Sequence, residues 1–192
     1  MKKRMETKKV VGIGLFTAIV VILQMLGSFI HFGTFSVSLV LLPIVLGAAL
    51  YGSTAGLWLG FVFGAVVLLS GDASPFLAVN PLGTVFTVLI KGMLAGLAAA
   101  LLYRVFAKKN ETLAVVLAAL LSPLVNTGVF LLCCKFFFMP VMTMWASEMG
   151  FGENVAGYMI LGLIGANFLF EVLFNVILSP VILRLLRIGR SK

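Results

Sequence analysis

Apolar residues run along this chain in long stretches, broken by short polar segments instead of alternating with polar residues. Barrel strands would alternate over about ten residues, whereas a membrane-crossing helix needs about 20 mainly apolar positions. The runs predict helices over 10–30, 37–51, 53–70, 81–103, 112–138 and 158–186. Taken as one element, 37–70 is far too long for a bilayer, so a break is expected at Tyr51-Gly52-Ser53. The expected fold class is an all-α membrane protein, a single integral membrane domain over 1–192. It is read as a six-transmembrane-helix bundle with both termini cytoplasmic. Three connections, His31–Ser36, Ser70–Asn80 and Met139–Gly157, then lie outside. Of these, "SGDASPFLAVNP" has two prolines, a glycine and its own apolar residues, so it is either an ordinary connection or a lid that folds back.

Composition supports lipid as the solvent. The chain is 62% hydrophobic and 10% charged, with a mean hydropathy of +1.22. A soluble domain of 192 residues could not hide that much apolar surface. The net charge of +8 raises nucleic acid as a partner, but the placement of the bases argues against it. Twelve of the fourteen sit in three clusters: Lys2, Lys3, Arg4, Lys8 and Lys9; Arg104, Lys108 and Lys109; and Arg184, Arg187, Arg190 and Lys192. Six crossings put all three on the cytoplasmic side, beside anionic lipid headgroups, whereas five would strand one outside. The apolar run to Ile30 is too long for a cleavable signal peptide. Cys133 and Cys134 are adjacent, without metal-ligand spacing around them, and read as small packing residues.

With the clusters set aside, Lys91, Lys135 and Glu171 are the charges left inside helices. Lys91 lies roughly 15 Å and Glu171 roughly 20 Å below the outer surface, at 1.5 Å of rise per residue. A charge at such depth costs about 2.5–3.5 kcal/mol on the insertion scale, so neither is expected to face lipid. Three arrangements accommodate the pair: a structural ion pair, a watered cavity that meets a polar ligand, or a proton relay. In "NFLFEVLFN", Asn167, Glu171 and Asn175 recur every fourth position along one helix face. Asn167 and Glu171 are expected to face a pocket reached from outside, with Asn175 nearer its floor. Asn126 and Thr127 add polar groups midway along the fifth helix, and Asn80 precedes the fourth. A lone asparagine would read as an interhelical hydrogen bond; so many polar groups at related depth favour a wet cavity. Lys135 stands near a helix end, where it either snorkels or faces the ligand.

Small residues mark two further surfaces. Gly14 and Ala18 stand four apart after Gly12 on the first helix, and Gly56, Gly60 and Gly64 repeat the spacing on the third. Both stripes allow close helix approach, within the protein or against a partner. No Walker A motif, HExxH or Ser/His/Asp set is present, so neither ATP hydrolysis nor catalysis is expected in this chain, and no metal site. Two readings of other classes are a self-sufficient carrier in which Lys91 and Glu171 exchange protons, and an assembly or scaffold protein.

The segment "VSLVLLPIVLGAALYGSTAGLWLGFVFG" at 37–64, a Pro-containing helix, a glycine turn and a Gly-rich helix, resembles the substrate-binding S components of energy-coupling factor (ECF) transporters. Their paired-alanine motif on the first helix, which meets the coupling subunit, corresponds here to "GLFTA", with Gly14 replacing the first alanine and Ala18 the second. The segment "FLAVNPLGTVFTVLIKGMLAG" at 76–96 is most similar to S components assigned to pantothenate. The resemblance implies a multi-pass subunit of a bacterial plasma membrane that captures a vitamin from outside. Pantothenate is favoured; riboflavin or another micronutrient is the alternative. It also implies a transmembrane coupling subunit and two cytoplasmic ATPases as partners, which consume ATP, with no cofactor in this chain. Lys91, Asn80, Asn126, Asn167, Glu171 and Lys135 are the substrate-binding candidates, and Gly14 and Ala18 the partner-interface candidates.

Overall fold

The computed structural model describes residues 2–28, 31–32, 35–36 and 39–190; the first two residues expected in the second helix, 37 and 38, lie outside them. Helix α1 covers Lys2–Gly27 and leads into a two-rung antiparallel hairpin, β1 (His31–Phe32) paired with β2 (Phe35–Ser36). Helices α2 (Leu41–Tyr51) and α3 (Ser53–Ser70) follow, separated by Gly52 alone. Its φ of 87° lies in the left-handed region that glycine enters without a Cβ clash, which is why the long apolar run breaks there. Gly71, at φ 88°, stops α3 in the same way. One helical turn, α4 (Ser74–Leu77), forms within the connection expected at 70–80.

Helix α5 (Pro81–Phe106) begins where the Asn80 side chain accepts the Gly83 amide at 3.0 Å. Pro81 fits in that first turn because an N–H there has no helical partner. Asn110 caps α6 (Glu111–Phe137) likewise, accepting the Leu113 amide at 3.0 Å.

Two expectations need correction. The segment 139–157 is not a plain connection, since Met139–Glu148 forms helix α7. It is too short to register as a span and so had read as loop. The helix expected over 158–186 is preceded by a short turn, α8 (Val155–Gly157), and is itself broken into a π-helical stretch (Tyr158–Ile164), α9 (Gly165–Ile177) and α10 (Ser179–Arg190). Gly165 loosens the first junction, and Pro180, which has no N–H to donate, falls at the second. The parts Val155–Ile164 and Asn167–Ile177 meet at a bend of 49°. Among the described residues, four helices are long and apolar enough to cross a membrane, and the bent pair, counted as one span, makes a fifth. Helix α2, at 11 residues, is about 16 Å long and falls short by itself.

The seam between α3 and α5 holds the bundle together. A Cβ on Gly56, Gly60 or Gly64 would meet the backbone carbonyl of Gly96, Gly92 or Val88 respectively. The third-helix glycine stripe is therefore an internal contact, and α3 and α5 run antiparallel. The Gly12 position lies against the Tyr51 side chain, and Arg187 Nε is 3.8 Å from Glu111 Oε2. Lys8, Lys9, Arg104, Lys108, Lys109 and Arg187 thus gather at one end, while 71–80 and α7 lie at the other. Phe16, Val20, Ile44, Leu59, Phe63, Ile182 and Leu186 form the interior, whereas Leu69, Leu82, Phe136 and Ile177 are exposed. An apolar outside of that kind suits lipid.

Candidate functional site

At the end away from the basic residues, α1, α5, α6 and α9 surround a cavity roofed by 71–80 and the π-helical stretch. Its empty space, counted with the mouth, is about 790 Å³. Four of the sequence candidates line it together: Lys91 from α5, Asn126 from α6, and Asn167 and Glu171 from α9. Thr127, beside Asn126, lines it too.

The other candidates lie elsewhere. The Asn80 oxygen is engaged by the Gly83 amide, and the residue borders a separate groove with Phe137 and Met144. Lys135 is exposed on the last turn of α6, outside the cavity. Asn175 is fully buried a turn beyond Glu171, off the cavity wall, and donates to the Glu171 backbone carbonyl at 2.8 Å. Gly14 and Ala18 are exposed on α1, and among the described residues nothing beyond the helix's own backbone lies within 4 Å of where a Gly14 Cβ would stand.

Several lining residues escaped the sequence reading. Gln24 of α1 is 1% exposed, and its Nε2 donates to Asp72 Oδ2 at 2.9 Å. Ser70 Oγ donates to the same oxygen at 3.0 Å, so Asp72 ties the end of α1 to the end of α3. Thr84 and Thr87 are buried and donate to the carbonyls of Asn80 and Gly83, which leaves hydroxyl lone pairs available toward the cavity. Gln24 could have been found as a lone amide within "VVILQMLG"; Asp72 carried no signal beyond its place in a loop.

Aromatic rings hold the roof in place. Phe76 of α4 meets Phe130, Phe138 and Trp145 edge-on, with centroids 5.6, 5.0 and 5.5 Å away. Contacts of this geometry contribute about 0.5–1.5 kcal/mol each beyond area burial. The 70–80 connection is accordingly fastened over the cavity as a cover, the second of the two alternatives it left open. The Lys91 ammonium lies over the Phe63 ring at 5.6 Å and the Phe130 ring at 5.3 Å, within cation–π reach.

The cavity carries three formal charges, Lys91 against Asp72 and Glu171. Two of its buried oxygens, Gln24 Oε1 and Asn126 Oδ1, have no hydrogen-bond partner among the described residues. Leaving such a group unmet costs about 1–3 kcal/mol, which a ligand donor could recover. Cys133 and Cys134 are buried free thiols, and the described residues contain no group of three His, Cys, Asp or Glu that could hold a metal ion. Residues 8–183 match the family model described as "ECF transporter, substrate-specific component". No curated protein matches the chain.

Proposed function

The chain belongs to the substrate-specific components of ECF transporters, and from that premise we propose that it captures a vitamin from the outer side of the membrane, with pantothenate as the ligand. Membership makes it a multi-pass membrane transport subunit that takes a small-molecule substrate and works with an ECF module. The finer parts of the reading go beyond the family. They are six crossings with both ends cytoplasmic in a bacterial plasma membrane, a transmembrane coupling subunit and two ATPases. The sharing of one end by the basic clusters supports that orientation. We take residues 1–192 as one integral membrane domain, in which α2 crosses as a short helix sheltered by its neighbours.

One observation carries the ligand reading: Lys91, Asn126, Asn167 and Glu171, distant in sequence, share one cavity inside an otherwise apolar bundle. Pantothenate has one carboxylate, an amide and two hydroxyls. Lys91 supplies the cation for the carboxylate, and the amides and carboxylates supply acceptors for the donors. Asn80 and Lys135 have no part in this arrangement. Gly14 and Ala18 remain the proposed contact with the coupling subunit, on an open face of α1.

A second reading rests on the rings. Phe76, Phe130, Phe138 and Phe168 line the same cavity and suit a flat neutral ligand such as riboflavin. Thermal unfolding of the detergent-purified chain against a vitamin panel decides between them. At 100 times the dissociation constant a ligand adds about 2.7 kcal/mol of stability. A saturable shift with pantothenate alone is the expected result; a shift with riboflavin alone transfers the assignment. Silence across the panel from folded protein would remove the vitamin reading and favour a carrier or scaffold.

A further inference from the structure

We infer that Gln24 and Asp72 form a hydrogen-bond-accepting subsite that reads the hydroxyl or N–H donors of the ligand, opposite in role to Lys91. This deepens the vitamin-capture reading and rests on it. Gln24 Nε2 and Ser70 Oγ both donate to Asp72 Oδ2, and no donor reaches Asp72 Oδ1 among the described residues. Gln24 Oε1 is buried and equally unmet. The amide and the carboxylate, joined through one hydrogen bond, therefore present an open oxygen at each end of the joined pair. Both residues line the cavity.

Gln24 Oε1 is an acceptor shut away from bulk water and stays unmet only at a cost, while Asp72, half-buried beside it, sets a carboxylate oxygen on the same wall. A ligand with donors meets both at once. An apolar or purely anionic group there would leave them unmet and stand against a carboxylate. The recognised class is thus a small molecule with an acid group at one end and two or more donors at the other. Gln24 lies on α1, so donor recognition also engages the helix that carries the exposed Gly14 and Ala18.

The test uses two probes that share carboxylate, amide and carbon skeleton, pantothenate and N-(3,3-dimethylbutanoyl)-β-alanine, which lacks only the two hydroxyls. Dissociation constants are measured on purified full-length chain, wild type, Asp72→Asn and Gln24→Met; unliganded melting reports whether each variant folds. In wild type, pantothenate is expected to bind at least tenfold more tightly than the dehydroxylated probe. Either substitution should shrink that gap below threefold while leaving the weaker probe nearly unchanged. If one variant fails to fold, the other decides. A gap that survives in a folded variant overturns the subsite while leaving vitamin capture standing. Should neither probe bind wild type, pantothenate is wrong and riboflavin, with its ribityl hydroxyls, replaces it. A tenfold loss in Asp72→Asn then upholds the subsite, and an unchanged constant overturns it. Binding of none of the three overturns both proposals together.

Discussion

Replacing Lys91 by methionine separates electrostatic recognition from packing. Lys91 is the one basic residue on the cavity wall among the described residues, and two carboxylates share that wall. A charge-assisted hydrogen bond to a ligand carboxylate contributes about 1.5–3 kcal/mol net. At about 1.4 kcal/mol per decade, its loss weakens an anionic ligand roughly 10- to 150-fold. The upper part of that range is expected, because removing the ammonium leaves two carboxylates on the wall with no cation to offset them or the ligand anion. The fold should suffer less. The Phe63 and Phe130 contacts, at 5.6 and 5.3 Å, are worth about 0.5–1 kcal/mol each or somewhat more when desolvated. A methionine thioether recovers about 0.3–1.5 kcal/mol against the same rings. Calorimetric titration of both proteins with pantothenate and with its neutral primary amide, which keeps the hydroxyls and loses the charge, measures the contrast. Equal losses for the two ligands, or none for pantothenate, would refute the electrostatic argument even if binding itself were real.

Asn80→Ala should lower stability by about 1 kcal/mol through loss of the α5 cap, with vitamin affinity changing less than twofold; a tenfold affinity loss would return Asn80 to the site. Gly60→Ala drives a methyl into the Gly92 carbonyl and the Met93 backbone, so it should lose about 1–3 kcal/mol of stability or more, seen as a lower melting point. Gly14→Ala, with open space around it, should melt like wild type, and a comparable drop there would discredit the packing account of the seam. Leucines at both Gly14 and Ala18 should leave vitamin binding by the isolated chain intact while reducing co-purification with the coupling subunit. Undiminished co-purification would free that face of α1 from the partner role.

The fold was legible where a residue type changed the backbone. Gly52 sits between two apolar runs and needs φ above zero, and Asn80-Pro81 marks a helix start, so those boundaries come directly from local chemistry. The breaks around Gly165 and Ser179-Pro180 were harder. In a chain that is 62% hydrophobic, apolar character continues across a bend as readily as along a helix. Hydropathy thus reports depth in the membrane and says little about direction. Helix α7 was missed for the related reason that ten residues are too few to register as a span.

For the cavity, legibility followed what each polar group would cost in lipid. Lys91, Asn126, Asn167 and Glu171 stand inside apolar runs, where a buried charge or amide must find a partner, and that necessity points inward before any fold is known. Gln24 met the same condition, but a single amide is also explained by one interhelical hydrogen bond, and only its neighbour separates the two explanations. That neighbour, Asp72, reads in sequence as a solvated loop residue. Its part in the cavity depends on the left-handed Gly71 turning the chain back and on Phe76 locking into the rings of Phe130, Phe138 and Trp145. Asn80 shows the converse competition. One side-chain oxygen was available both to a helix start and to a ligand, and the three-residue reach to the Gly83 amide closes first because it needs no second element. Polar residues at helix starts should therefore be assigned to caps before ligands, and polar residues within spans to cavities once a second helix supplies a group at the same depth.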